Sequence, residues 1–494
     1  MNQPLNFVLV LAGLTALVVA ADQIKNRYRL HPKKTREFVH AAVAVVVFFT
    51  PLLFTSKLYP ALLAGIFVIV NFVSVRLGMF KGMNLDKKNL GTVYYPVSFL
   101  ALVLLLWDTH PFIVSVAMLV MGLADPAAAI FGTALKNTHP VSAFGERKTL
   151  EGSAAMFVVT SATVFIGILF FRQSSALIGG LTAITLLEIS TAIGLMIAAV
   201  ELVSPKATDN LSVPLFSALL VYVAVSDRVL FDSFILGELL AIAVASLSYK
   251  LKFLKSDGAV ATFILGGFIF GFGGWRWSVP ILLFFLIGSI ASKLFAGKKA
   301  GYNLLYEKSH TRDSAQVFAN GAFALLMLIC NVLSPNYHWF LAYVGALTAV
   351  TADTLATEIG VFSRKNPFSL SLWRKVEKGV SGAVSSLGTA SGLFSAAVLA
   401  FLTLPFAGAY AVFPLRFVVA GALSGAIGSL ADSLLGGTLQ SQYRCASCAK
   451  ITERKIHCDQ QETTLIQGYR WINNDVVNFA ASVVGAVAMP LLFL

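Results

Sequence analysis

Charge is scarce in this chain: only 12% of its 494 residues are Asp, Glu, Lys or Arg, while 57% are hydrophobic. A composition so poor in charge excludes an ordinary soluble globule. The apolar runs are long and lack the period-two alternation of a lipid-facing barrel, so the spanning elements must be helices. Equally missing are a Walker A loop, a kinase Gly-rich loop and a dinucleotide fingerprint, which removes the common soluble nucleotide folds from consideration. Cysteine is rare, with Cys330 in an apolar run and Cys445, Cys448 and Cys458 in one polar segment. The first run, Asn6 to Ala21, has no basic stretch ahead of it and is followed by Lys25, Arg27 and Arg29; it reads as a retained anchor rather than a signal peptide.

What the chain does have is a series of apolar runs of membrane-spanning length, about sixteen of them. They fall near residues 5–21, 38–55, 58–75, 92–108, 111–133, 154–171, 175–201, 212–227, 234–250, 258–274, 278–295, 315–333, 339–361, 382–404, 416–438 and 473–494. The fold class is therefore all-α, a polytopic integral membrane protein. A formal charge of +13 could suggest nucleic acid, but 32 of the 37 Lys and Arg residues lie in alternate loops, on one face. The positive-inside rule makes that face cytoplasmic and puts both termini outside, with membrane lipid and not nucleic acid as the partner. In that reducing compartment the three loop cysteines are not expected to form disulfides.

Two acidic residues interrupt apolar runs in one frame: Ala124-Asp125-x-x-Ala128-x-x-x-Gly132 and Ala352-Asp353-x-x-Ala356-x-x-x-Gly360. A carboxylate inside a bilayer is costly, and its default reading is a functional site. Each lies roughly 12 Å from the cytoplasmic end of its helix, at ~1.5 Å per residue. A serine follows each by 28 residues (Ser153, Ser381), and Asp209 and Asp432 follow at 84 and 79. These landmarks suggest two domains of common design, residues 1–230 and 231–494.

Lys148, Glu151, Gly152 and Ser153 precede one span, and Lys378, Gly379 and Ser381 precede another. A helix start with Gly, Ser and a nearby Lys is a plausible phosphate cradle, against the plainer reading of an N-cap and a topogenic lysine. Asp209 and Asn210 open a further span, with Glu201 in the helix before it. Carboxylates converging there would suit Mg²⁺ carrying nucleotide phosphates, through Asp125 and Asp209 in one half and Asp353 and Asp432 in the other. Glu358, Asn474, Asp475 and Asn478 are further candidates in the second half. Arg36 and His40, one helical turn apart, could meet a phosphate. Cys445-x-x-Cys448 with His457-Cys458 has the ligand types of a structural Zn²⁺ site, although adjacent His and Cys seldom bind one ion together.

Taken together, Arg36-x-x-x-His40, Gly122-x-x-Asp125, Lys148-x-x-Glu151-Gly152-Ser153 and Asp209-Asn210-x-x-x-Pro214 resemble the prenol kinase family, which includes phytol and dolichol kinases. Ala352-Asp353-Thr354-x-Ala356-x-Glu358, Lys378-Gly379-Val380-Ser381-Gly382, Gly428-x-x-x-Asp432-Ser433 and Asn474-Asp475-x-x-Asn478 are similar to the phytyl-phosphate kinase family. The resemblance implies a bifunctional membrane kinase that converts a prenol such as phytol to its monophosphate and then its diphosphate, with CTP or another nucleoside triphosphate. It implies Lys148 and Lys378 as phosphoryl-neutralising cations. Nucleotidyl transfer giving a CDP-lipid would use similar residues. A transporter would also carry repeats and buried charge, but would place that charge at mid-membrane.

Overall fold

The computed structural model describes residues 2–29, 32–77, 90–135, 138–295, 311–378, 380–449, 451–458 and 461–494. The chain divides into two compact units, Met1–Ile235 and Leu236–Leu494. The first holds α1 (Gln3–Tyr28), α2 (Pro32–Phe48), α3 (Thr50–Leu53), α4 (Leu58–Leu77), α5 (Gly91–Leu106) and α6 (Pro111–Ala134). After a hairpin of β1 (Pro140–Ala143) and β2 (Glu146–Thr149) come α7 (Leu150–Phe170), α8 (Ala176–Gly179), α9 (Ala183–Val203) and α10 (Asp209–Ser226). Helix α11 (Arg228–Lys250) carries the chain across the boundary.

The second unit continues with α12 (Ser256–Phe295), α13 (Ser314–Leu333) and α14 (His338–Gly360). Three short strands follow, β3 (Phe368–Ser369), β4 (Arg374–Lys375) and β5 (Ala383–Val384), then α15 (Ser386–Thr403) and α16 (Pro414–Thr438). The next loop carries β6 (Gln442–Arg444), β7 (Ile451–Thr452), β8 (Ile456–His457), β9 (Gln461–Glu462) and β10 (Thr464–Gln467), and α17 (Asn474–Phe493) completes the unit.

Among the described residues, 13 helices are long and apolar enough to cross a membrane. One of these, α12, bends at Gly274, whose φ of 57° suits a residue without a side chain, and so supplies two spans. Among the described residues one shorter helix, α5 with 16 residues, is also apolar, and α2 has 17 residues. The fold is thus the all-α polytopic arrangement that the apolar runs require, with small antiparallel sheets in the loops.

The two units share a helix crossing. Thr149 caps α7 by accepting from the Gly152 amide, and Ser385 caps α15 by accepting from Gly388, each at 3.1 Å. A Cβ on Gly152 would lie 2.9 Å from the Ala128 carbonyl, and one on Gly388 would lie 2.9 Å from that of Ala356. Both glycines therefore let two helices touch backbone to backbone beside an acidic residue. Two further helices complete each set: α9 and α10 pack beside α6 and α7, as α16 and α17 pack beside α14 and α15.

Gly152 and Gly388 hold like places in this crossing, whereas Ser153 lies in the first turn of α7 and Ser381 in the loop before α15; that loop is the longer of the two. By helix position, Glu201 near the end of α9 matches Asp432 near the end of α16. Asp209-Asn210 at the start of α10 matches Asn474-Asp475 at the start of α17. The sequence pairing of Asp209 with Asp432 joins residues from different helices.

Candidate functional site

In the first unit four elements deliver a charged cluster. Helix α6 carries Asp125, β2 carries Lys148, α9 carries Glu201 and α10 opens on Asp209. One oxygen from each of the three carboxylates lies within 4.8 Å of the others. The Lys148 ammonium is 2.7 Å from Glu201 Oε1, 3.4 Å from Asp209 Oδ2 and 2.5 Å from the Glu201 carbonyl. Burial works to lower its pKa, but Glu201 and Asp209 outweigh that and hold it above the usual lysine value. Lys148 is therefore a fixed cation with 18% of its side chain exposed. Arg36 adds a second positive charge within electrostatic reach of Asp125. Three carboxylates converge with two cations in a half-dry site, an oxygen-rich setting that a divalent cation would complete. The donor set, all hard oxygen, fits Mg²⁺.

Asn210 donates to Asp209 Oδ1 at 3.0 Å and fixes its rotamer. His40 stands edge-on to Tyr95 with ring centroids 4.4 Å apart, and its buried Nε2 has no hydrogen-bond partner. Arg36, His40, Asp125 and Asn210 line a cavity of about 130 Å³ whose other walls, including Val10, Leu14, Val43, Val47, Leu63 and Phe67, are mostly apolar. A polar cluster and an apolar slot thus meet at Asp125.

Glu151, Gly152 and Ser153 do not join this cluster. Glu151 accepts from the His139 amide at 3.0 Å and meets its ring Nδ1 at 2.7 Å. The Gly152 amide is spent on the Thr149 cap, and Ser153 Oγ donates to the Thr149 carbonyl at 3.3 Å. The helix starts at Leu150 rather than Ala154, which turns these residues from a phosphate cradle into a first turn packed on α6.

The second unit gathers more of its expected residues. A cavity of about 300 Å³ is lined by Asp353, Glu358, Lys378, Ser381, Asp432, Asn474 and Asn478. Asp353 and Asp432 are electrostatic neighbours in this cavity, and Asp432 Oδ2 is buried with no hydrogen-bond partner. Two neighbouring acids, one with an orphaned buried oxygen, form a site that a divalent cation would complete. Glu358 accepts from Ser292 Oγ at 3.1 Å. Asp475 does not line the cavity; it is buried at 8% exposure behind it, accepting from Asn473 Nδ2 at 3.3 Å. Gly379 lies outside the described residues. Gly382, with φ of 76°, lets the loop after Lys378 pass directly against the backbone of Gly437 and Ser433, which holds Ser381 at the cavity wall.

Residues that sequence patterning missed complete this cavity. Arg312, Gln316 and Asn320 line it and also line a smaller, largely apolar cavity of about 70 Å³ walled by Leu265, Ile269, Ile281, Phe284 and Phe285. The Arg312 guanidinium lies 5.3 Å and 5.7 Å from the Phe284 and Phe285 ring centroids. Burial lowers its pKa to about 10 and Glu358 partly offsets this, so it stays charged at neutral pH. Gln316 and Asn320 lie one turn apart on α13, while Arg312 precedes the helix in the bridge to Leu254. Glu453 also lines the larger cavity, accepting from Gln440 Nε2 at 2.9 Å, while Gln440 Oε1 accepts from Ser381 Oγ at 3.0 Å. The ligand atoms of Cys445, Cys448, His457 and Cys458 lie within 4.8 Å of one another in the same loop.

An uncharacterized membrane protein of Methanocaldococcus jannaschii is 26% identical over 256 residues, 52% of this chain and 92% of its own length. Protein VTE6, chloroplastic, of Arabidopsis thaliana is 23% identical over 244 residues, 48% of this chain and 65% of its own. The phytol kinase of a Synechocystis strain is 31% identical over 230 residues, 45% of this chain and 94% of its own. No solved structure matches the chain. The description "Integral membrane protein DUF92" matches residues 239–486, which fall inside the second unit and make up half of the chain, and the chain therefore belongs to the DUF92 family of integral membrane proteins.

Proposed function

We propose that the chain is a nucleotide-dependent, Mg²⁺-requiring prenol kinase whose first unit phosphorylates an isoprenoid alcohol and whose second unit phosphorylates the resulting monophosphate. The observation that carries this reading is the meeting of buried carboxylates with apolar cavity wall at Asp125, in a span where only a membrane-borne acceptor would need them. The likeness to the Synechocystis phytol kinase over nearly all of that protein's length supports it. The crowded basic loops make the face bearing both sites cytoplasmic, where CTP or another nucleoside triphosphate is available.

In the first unit the prenol chain would occupy the apolar cavity with its hydroxyl at Asp125. Asp209 and Glu201, on the side of Lys148, would hold the cation, which when bound draws charge from the β- and γ-phosphates. Asp125 takes the hydroxyl proton as the alcohol oxygen attacks the γ-phosphorus. The bond from that phosphorus to the β–γ bridging oxygen breaks and the nucleoside diphosphate leaves, with Lys148 neutralising the charge that develops. His40 and Arg36 close the polar end of the same cavity.

In the second unit the acceptor is already an anion and needs no base. Arg312, shared by the polar and apolar cavities, would hold the lipid phosphate with the chain against Phe284 and Phe285. Asp353, Asp432 and Asn474 would hold the nucleotide's cation, and Lys378 would neutralise the transferring group.

The purified chain given phytol or geranylgeraniol and CTP labelled at either the α- or the γ-phosphorus tests the reading. Label from the γ-position is expected in the prenyl mono- and diphosphate, and none from the α-position. Entry of α-label into lipid would mean nucleotidyl transfer to a CDP-lipid and overturn the kinase assignment.

A further inference from the structure

We propose that Cys445, Cys448, His457 and Cys458 bind one Zn²⁺ ion, and that this ion clamps the segment carrying Glu453 to the wall of the second unit's cavity. One ligand atom from each residue falls within 4.8 Å of the rest. His457 Nδ1 lies 3.6 Å from Cys448 Sγ and 3.1 Å from Cys458 Sγ. Three sulfurs and one imidazole at tetrahedral-site separation match Zn²⁺ and not the hard, oxygen-seeking cations.

The backbone gives an independent indication. Side chains of adjacent residues in a strand point to opposite faces, so His457 and Cys458 would normally diverge. Cys458 lies just past the strand, in the turn after β8, with φ of 39°, and its sulfur comes within 3.1 Å of the His457 imidazole. Ala449 is left-handed too, at 57°, and its amide donates to the Cys445 carbonyl at 3.0 Å, closing a tight knuckle around Cys448. Both turns bring their cysteines toward one point.

The position of the ligands supplies the consequence. Cys445 and Cys448 precede β7, and His457 and Cys458 follow it; β7 pairs with β6 through Tyr443–Thr452 and Arg444–Ile451. Glu453, the next residue, is therefore pinned from both sides, and it reaches the cavity and Gln440. Glu453 and Gln440 are positioning residues here, acting through Ser381. Only this consequence rests on the kinase reading; the metal site stands apart from it.

The test uses the full chain purified without chelator and analysed for metal by mass spectrometry. About one zinc per chain is expected, and less than about 0.2 in C445S/C448S, because two of four ligands are lost. In case that variant fails to fold, the wild-type chain is titrated with a mercurial thiol reagent, which should release one zinc to a metallochromic dye. Zinc-free wild-type protein, or zinc release that does not follow thiol modification, overturns the site. E453Q should keep its zinc while KM for the prenyl monophosphate rises about tenfold, as for other groups that orient a site from behind. A normal KM in both E453Q and zinc-stripped protein overturns the clamp. Loaded protein that phosphorylates neither lipid would overturn the kinase reading, while its zinc content would still uphold the site.

Discussion

Asp125→Asn is expected to reduce phosphorylation of a prenol by about three orders of magnitude, while added prenyl monophosphate is still converted to the diphosphate at the wild-type rate. The amide is isosteric but can neither accept the hydroxyl proton nor offer a charged ligand, and a positioned base alone contributes roughly 10² to 10⁴. The complementary variant, Asp353→Asn, removes one of the two neighbouring acids and leaves Asp432 as the remaining acid beside its orphaned oxygen. It should make monophosphate accumulate from prenol at a normal initial rate. Product separation by charge, with labelled nucleotide, reads both. If either substitution eliminated both steps, the division of labour between the units would be wrong. Because Asn fills the same volume, loss of the fold is a poor explanation for a selective defect.

The spans and the two aspartates were legible because membrane physics makes them conspicuous: an apolar run announces a helix, and a carboxylate within it announces a site. Glu201 and Lys148 were visible as charges beside spans, though not their 2.7 Å contact, which depends on how α9 meets the β1–β2 hairpin. The helix starts were less legible. Leu150, Glu151 and Gly152 belong to α7, yet a charged residue at the membrane edge reads as loop, and that single shift withdrew Glu151, Gly152 and Ser153 from the proposed cradle.

The repeat misled in a similar way. Matching residue counts favoured Ser153 with Ser381, whereas the close helix contacts at Gly152 and Gly388 are what the two units share. Arg312 and Glu453 escaped because they lie in polar segments among other charged residues, where burial cannot be read from composition. Folding alone shows that one becomes a buried cation between aromatic rings and the other a cavity wall.

Arg312→Gln should weaken the second step about a hundredfold, chiefly through KM for the lipid monophosphate, and leave prenol phosphorylation unchanged. Charge-assisted hydrogen bonds contribute roughly 1.5–3 kcal/mol each, and ~2.7 kcal/mol corresponds to a hundredfold in affinity. The position makes the charge hard to replace. Its backbone is pinned by Arg312 N donating to the Phe253 carbonyl and Lys255 N donating to the Arg312 carbonyl, both at 2.9 Å. Its planar group faces Phe284 and Phe285. Lysine keeps the charge but neither the fork nor the stacking, so Arg312→Lys should recover only part of the loss. A soluble short-chain phosphate, lacking contacts with the apolar cavity, should bind poorly to wild type and lose a similar further factor in the variant, because the phosphate contact is the same. A raised KM for the nucleotide in place of that for the acceptor would put Arg312 on the nucleotide instead. An unchanged KM for the monophosphate would remove it from acceptor binding altogether.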